Sequence, residues 1–217
     1  AGIAPILTAI KCGCDIALAN KETLVAAGAL IMQAVSEANV QLTPIDSEHS
    51  AIFQSLSNHP NKEIERITLT ASGGALRKFS VEEVRKATVE QVLNHPVWSM
   101  GAKVTVDSAS LMNKALELVE AHWLFNVDAE RLSAVIHPQS IVHGMVEFID
   151  GSIVAQLSSP DMKLPIQYSL TYPNRLPGCS SKINWLNHPN LGFEPIDFSK
   201  YPAVRLAYDV IRQGGTS

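Results

Sequence analysis

Cysteine is scarce in this chain: Cys12, Cys14 and Cys179 are the three among 217 residues. So small and odd a set excludes a disulfide scaffold and fits a reducing compartment. Cys12-Gly13-Cys14 has no second Cys/His pair at zinc-like spacing, so both are read as structural thiols. Long charge runs are also missing. Charged residues make up 18% and the formal net charge is −4, which excludes the clustered basic surface of a nucleic-acid binder. No apolar stretch approaches the roughly 20 residues of a membrane span. Ala1-Gly2-Ile3-Ala4-Pro5 has neither a basic leader nor an initiator Met. It is not read as a signal peptide, and the chain is expected to begin inside a longer protein. A G-x-G-x-x-G dinucleotide turn is absent, as are repeats and low-complexity tracts. What remains is an ordinary globular balance, 46% hydrophobic, with enough apolar surface for a sizeable core.

Periodicity predicts an α/β chain. Pro5 to Ile10 reads as a helix end and Ile16 to Leu18 as a buried strand. Thr23 to Ala38 is apolar at helical spacing, and Val40 to Ile45 is a second strand. Ser50 to Leu56 is helical and Ile64 to Thr70 a strand. Val81 to Leu93 reads as one helix, with Ser80 and Glu83 forming a capping box. His95 to Gly101 is a loop and Lys103 to Val106 a short strand. Leu111 to Phe125 is an amphipathic helix. Val135 to Ile136 and Ile141 to Ile149 are strands, and Asp150-Gly151 joins the latter to Ser152–Leu157 as a type I′ hairpin. Asn174 to Lys200 has the Pro, Gly, Asn and Ser content of a linker. Tyr201 to Gln213 begins a further helix.

Four groups offer chemistry. Asp46-x-Glu48 at a strand end would set two carboxylates on one face, a pairing that suits Mg²⁺ or Mn²⁺. A solvated acidic loop is the plainer alternative. The segment Asp107 to Glu117 crowds Ser108, Asn113 and Lys114 at a helix start, where free N–H groups attract anions. Asn113 and Glu117 share a helix face, and a capped surface helix is the alternative here. Ser72-Gly73-Gly74 permits close approach to a phosphate or is a simple turn. Trp98, in the Pro/Gly loop after His95, suits a lid or packs into the core.

These segments together resemble the 1-deoxy-D-xylulose 5-phosphate reductoisomerase family. The resemblance is carried in order by Ala17-Leu18-Ala19-Asn20-Lys21-Glu22-Thr23-Leu24-Val25, Pro44-Ile45-Asp46-Ser47-Glu48-His49-Ser50-Ala51, Thr70-Ala71-Ser72-Gly73-Gly74 and His95-Pro96-Val97-Trp98-Ser99-Met100-Gly101. Val106-Asp107-Ser108 through Glu117, Ile136-His137-Pro138-Gln139-Ser140 and Ser159-Pro160-Asp161-Met162 complete it.

The resemblance implies an NADPH- and metal-dependent oxidoreductase. It would rearrange and reduce 1-deoxy-D-xylulose 5-phosphate to 2-C-methyl-D-erythritol 4-phosphate, in non-mevalonate isoprenoid synthesis. Asp46, Glu48 and Glu117 would hold Mn²⁺ or Mg²⁺, with Co²⁺ also acceptable. Ser72, Ser108, Asn113 and Lys114 would grip the phosphate with His95 close by. Lys21 and Ser47 would contact substrate beside the metal, with Trp98 and Met100 on the lid. Asn20, Glu22 and Gly101 would touch the nicotinamide end of the cofactor.

It also implies a homodimer paired through the central sheet, in a bacterial cytoplasm or a plastid-type organelle, with no nucleic-acid or membrane partner. Residues 1–45 would close a Rossmann-like domain. Residues 46–175 would form a mixed-sheet catalytic domain with flanking helices, 176–200 a linker, and 201–217 the start of a helical domain. Roughly a hundred family residues would precede Ala1. With no dinucleotide turn, these 217 residues alone are expected not to oxidise NADPH. A metal-dependent phosphate-ester hydrolase and a non-catalytic assembly module are the competing readings.

Overall fold

The computed structural model describes residues 2–56, 59–178 and 180–214; Cys179 lies outside them. Among the described residues, Cys12 and Cys14 are exposed free thiols, and no helix is long and apolar enough to cross a membrane.

The architecture is mixed α/β. Helix α1 (Ile3–Lys11), strand β1 (Ile16–Leu18), helix α2 (Lys21–Ala38) and strand β2 (Leu42–Pro44) form the first layer. β1 and β2 pair in parallel. Ile10, Leu18, Leu24 and Ile31 make a small core between them and the helices. A second sheet has strand order β4-β3-β5-β6 and comprises β3 (Ile64–Ala71), β4 (Leu132–Ile136), β5 (Val142–Phe148) and β6 (Ile153–Leu157). β3 and β4 are parallel and the other pairings antiparallel. Helix α3 (Ser47–Leu56) packs on β5 and β6, whereas α7 (Met112–Phe125) packs on α2 and on α9 (Pro202–Arg212). Ile52, Ile67, Leu69, Leu118 and Val146 lie in the larger core, which α9 joins through Tyr201, Val204, Ala207 and Ile211.

One close approach sets the site. A Cβ placed on Gly28 of α2 would fall 2.3 Å from the Trp123 indole of α7. The backbone is non-helical at the adjacent Ala27. With no side chain at this crossing, the start of α2 can reach the first turns of α7. Gly28→Ala is expected to force the helices apart and to destabilise the chain by about 1–3 kcal/mol. Urea denaturation measures this, and an unchanged midpoint would show that the crossing relaxes freely.

Several local expectations are corrected. Lys103 to Val106 is not a strand but part of α6 (Ala102–Ala109), N-capped at Gly101. The β-branched run Val104-Thr105-Val106 misleads because tertiary packing overrides so short a propensity signal. Val81 to Leu93 is two helices, α4 (Val81–Val84) and α5 (Val89–Leu93), each with its own capping box. Ser80 and Glu83 cap the first as expected, and Thr88 with Gln91 restart the second. The hairpin at Asp150-Gly151 is present, but Gly151 alone has positive φ. Phe148 accepts from Gly151 N–H and donates to Ser152 O, so the connection is a three-residue loop with a bulge rather than a type I′ turn. Helix α8 (Lys163–Thr171) was not anticipated. The described residues of 174–200 are mostly irregular, but Glu194 forms a backbone bridge with Ile136 and Lys200 donates to Leu76, Arg77 and Phe79 carbonyls.

Candidate active site

Asp46 and Glu48 do not sit on one strand face. β2 ends at Pro44, and α3 begins at Ser47. The Asp46 carbonyl accepts from Ser50 N–H at 2.8 Å, so Asp46 occupies the helix-cap position and Glu48 the first turn. Asp and Ser favour that boundary, and an acidic first turn suits the helix dipole. The two carboxylates still converge, now by a helical turn. Glu117 reaches them from α7, and ligand atoms of Asp46, Glu48 and Glu117 all lie within 4.8 Å of one another.

Two lysines pair with this trio. Lys21, at the start of α2, has its Nζ 2.5 Å from Asp46 Oδ2 and 2.6 Å from Glu117 Oε1. It also donates to Asn113 Oδ1 at 2.9 Å. Lys114, 2% exposed, is 2.8 Å from Glu48 Oε1 and also pairs with Glu117 Oε2. Asn113 Nδ2 donates to Glu117 Oε1, and Ser47 Oγ donates to Glu48 Oε2 at 2.5 Å. Burial opposes the charge on Lys21, but Asp46 and Glu117 outweigh it and raise its pKa. The same holds for Lys114 against Glu117 and Glu48. Burial would favour neutral Asp46, yet Lys21 and His49 hold it well below the usual carboxylate range. Glu48 goes the other way: burial and the nearby Glu117 push it up to about 7. Three carboxylates facing two ammonium groups is a donor set of hard oxygens that suits a small divalent cation.

The phosphate candidates surround the same cleft, whose volume is about 350 Å³. Ser72, Ser108, Asn113 and Lys114 line it, as do Lys21, Glu22, Ser47, Trp98 and Met100. Ser108 is a correction. It lies in the last turn of α6, not at the start of α7, and contributes its hydroxyl rather than a free helix N-terminus. The helices meet at Leu111, held in the left-handed region (φ 55°). Gly74 (φ 66°) presses the Ser72 loop onto α6: a Cβ there would meet the Ser108 carbonyl at 2.4 Å. Ser72 Oγ lies 2.9 Å from His95 Nε2. His95 Nδ1 accepts from Trp98 N–H at 2.8 Å and Val97 N–H at 3.2 Å in the same loop, so Nε2 carries the hydrogen and donates to Ser72. Trp98 is half-buried, edge-on to His143. His95, Asn20 and Gly101 do not themselves line the cleft. His95 backs it through Ser72. Asn20 precedes α2 with Oδ1 buried and without a hydrogen-bond partner among the described residues, and Gly101 is exposed at the α6 cap.

Lys103, Ser140 and His143 also line the cleft, and no local motif marks them for it. Lys103 joins Glu22 at 3.1 Å to Asp107 at 2.6 Å. His143 is buried; burial lowers its pKa from 6.5 to about 4, outweighing its bond to the Ser158 carbonyl. The unfolded chain therefore binds more protons below the ordinary histidine value. Its contribution to stability is complete above pH 6.5 and falls as pH drops towards 4, a loss of about 2 kcal/mol by pH 5. His143→Gln is expected to remove that part of the slope when urea midpoints are compared at pH 7 and pH 5. Equal slopes in the two proteins would show that His143 titrates normally.

Three family models match the chain. The 1-deoxy-D-xylulose 5-phosphate reductoisomerase model matches residues 1–28, that enzyme's C-terminal domain model matches 42–125, and a second DXP reductoisomerase C-terminal domain model matches 157–217. The chain belongs to the 1-deoxy-D-xylulose 5-phosphate reductoisomerase family. It is 56% identical over 216 residues to the reductoisomerase of Chlorobium chlorochromatii, covering 100% of this chain and 56% of that protein. The Protochlamydia amoebophila reductoisomerase is 52% identical, with 99% of this chain and 56% of that protein covered. The chain thus spans little more than half the length of these relatives. Among solved structures, the Zymomonas mobilis reductoisomerase in complex with NADPH superposes with a TM-score of 0.92 at 43% identity, over 99% of this chain and 55% of that one. A DOX-P reductoisomerase in complex with NADPH, fosmidomycin and magnesium also gives 0.92, at 40% identity, over 97% of this chain and 54% of that one.

Proposed function

We propose that this chain carries the metal- and substrate-binding part of an NADPH-dependent reductoisomerase acting on 1-deoxy-D-xylulose 5-phosphate and forming 2-C-methyl-D-erythritol 4-phosphate for isoprenoid synthesis. The observation that carries this reading is the convergence of Asp46, Glu48 and Glu117 with Lys21 and Lys114 in one cleft. When bound, Mn²⁺ or Mg²⁺ supplies Lewis acidity at the substrate carbonyl and NADPH supplies the hydride.

The chain's own residues hold and orient. Asp46, Glu48 and Glu117 hold the divalent cation. Lys114, Asn113, Ser108 and Ser72 grip the phosphate, with His95 keeping Ser72 and the lid in register. That remote grip positions the reacting carbons. Lys21, bridging Asp46 and Glu117, is placed to meet substrate hydroxyls, with Ser47 beside it. Trp98 and Met100 cover the cleft and exclude water. Asn20, Glu22 and Gly101 face the nicotinamide end; the buried, unpartnered Asn20 Oδ1 fits a donor from a carboxamide.

Within this reading residues 1–45 close a cofactor domain, 46–175 form the catalytic domain, 176–200 link, and 201–217 open a helical domain. The exposed Ile149 and Ile153 beside and on edge strand β6 support pairing with a second copy through the central sheet. The bacterial relatives support a cytoplasmic setting. The 217 residues alone are expected not to oxidise NADPH, because they contain no dinucleotide turn. Titrating 1-deoxy-D-xylulose 5-phosphate against 1-deoxy-D-xylulose in the presence of Mn²⁺ tests the phosphate grip. Loss of the phosphate is expected to weaken binding by about a hundredfold, from several charge-assisted bonds. Equal affinities would remove the phosphate site.

A further inference from the structure

Glu120 is 1% exposed, and neither of its carboxylate oxygens makes a hydrogen bond among the described residues. A buried carboxylate without donors is strongly unfavourable, so its retention calls for a reason. Its close neighbour is His49, fully buried on α3, whose Nδ1 lies 3.4 Å from Glu120 Oε2. That is a long contact, and the other ring nitrogen shows how it is used. His49 Nε2 is 2.9 Å from the main-chain carbonyl of Glu117. A carbonyl only accepts, so Nε2 carries a hydrogen. Nδ1 then faces Glu120 Oε2 across 3.4 Å.

Both contacts lie on α7, one turn apart. The ring is therefore clamped onto α7 by the Glu117 backbone at one end and the Glu120 side chain at the other. His49 itself follows Glu48 directly and lies in the same first turn of α3. Asp46 sits within 4.8 Å of the pair. We propose that Glu120, acting through His49, is a positioning residue: it fixes the start of α3 against α7 so that Asp46, Glu48 and Glu117 stay within reach of one divalent cation. This rests on the metal-binding reading above. Asp46, His49 and Glu120 are also close enough to ligate an ion themselves, through Nδ1; that arrangement would take a second ion per chain, which the titration below counts.

The test is calorimetric titration of Mn²⁺ into the 217-residue chain and its Glu120→Leu and Glu120→Gln variants, with the thermal midpoint of each. Leu fills the volume but offers Nδ1 no partner; Gln offers an amide N–H. One ion per wild-type chain is expected. Glu120→Leu is expected to weaken Mn²⁺ binding tenfold or more, in the order of magnitude seen when groups supporting metal ligands are removed. Glu120→Gln is expected to stay within about threefold of wild type, and neither variant to lower the midpoint, since each removes a buried charge. A packing role alone would place the loss in the midpoint and treat Leu and Gln alike. Unchanged affinity in Glu120→Leu, equal losses in both variants with a lowered midpoint, or two ions per wild-type chain would each overturn the proposal. A wild-type chain that binds no Mn²⁺ would instead sink the metal reading itself.

Discussion

Glu117→Gln is expected to weaken Mn²⁺-dependent ligand binding by tenfold or more, the order of magnitude for losing a charged ligand. Glu117 is 1% exposed and takes contacts from Lys21, Asn113 and Lys114. Gln keeps the shape and removes the charge. Lys21 and Lys114 then fall on Asp46 and Glu48 alone, and fewer negative oxygens remain for a cation. The fold is expected to persist with a lowered midpoint, because Lys114 keeps Glu48, Lys21 keeps Asp46, and His49 still bonds to the main-chain carbonyl of residue 117. Calorimetry with and without Mn²⁺ reads the effect, and an unchanged Mn²⁺ dependence would take Glu117 out of the site.

Lys114→Met should act on stability first. Its ammonium is buried between Glu48 and Glu117. Removing one partner of a buried ion pair strands the other, which costs about 3 kcal/mol or more. The cost sits at the lower end because Glu48, already pushed up to about 7, can take a proton. Saturating Mn²⁺ should recover much of the loss by binding the folded state alone. Urea midpoints without metal and with excess Mn²⁺ measure both parts. A variant as stable as wild type without metal would show that the trio does not need this cation.

Much of the site was legible in the chain, though not always for the right geometric reason. Asp46-x-Glu48 stood out as a pair, but its convergence comes from a helix cap and first turn rather than a strand face. Asn113 and Glu117 were placed on one helix face by their spacing, and the structure brings them into contact. Continuing that spacing one turn, from Glu117 to Glu120, would have pointed to the clamp on His49. Lys21 is different. Local pattern gives it no partner, since Asp46 lies 25 residues away and Asn113 and Glu117 lie 92 and 96; only the resemblance singled it out. In the fold, long periodic segments such as Thr23 to Ala38 read correctly. The failures cluster where signals are short. Val104-Thr105-Val106 favours strand locally yet lies in α6, and Pro165 hides α8 although proline is tolerated in a helix's first turn.

The most direct measurement is a calorimetric titration of 1-deoxy-D-xylulose 5-phosphate into the folded 217-residue chain, with and without Mn²⁺. Binding that requires Mn²⁺ is the expected result, because the carboxylate trio and the residues proposed to grip the phosphate line one cleft. Absence of binding with Mn²⁺ in a sample shown to be folded, or equal binding with and without the ion, would contradict the assignment of this cleft.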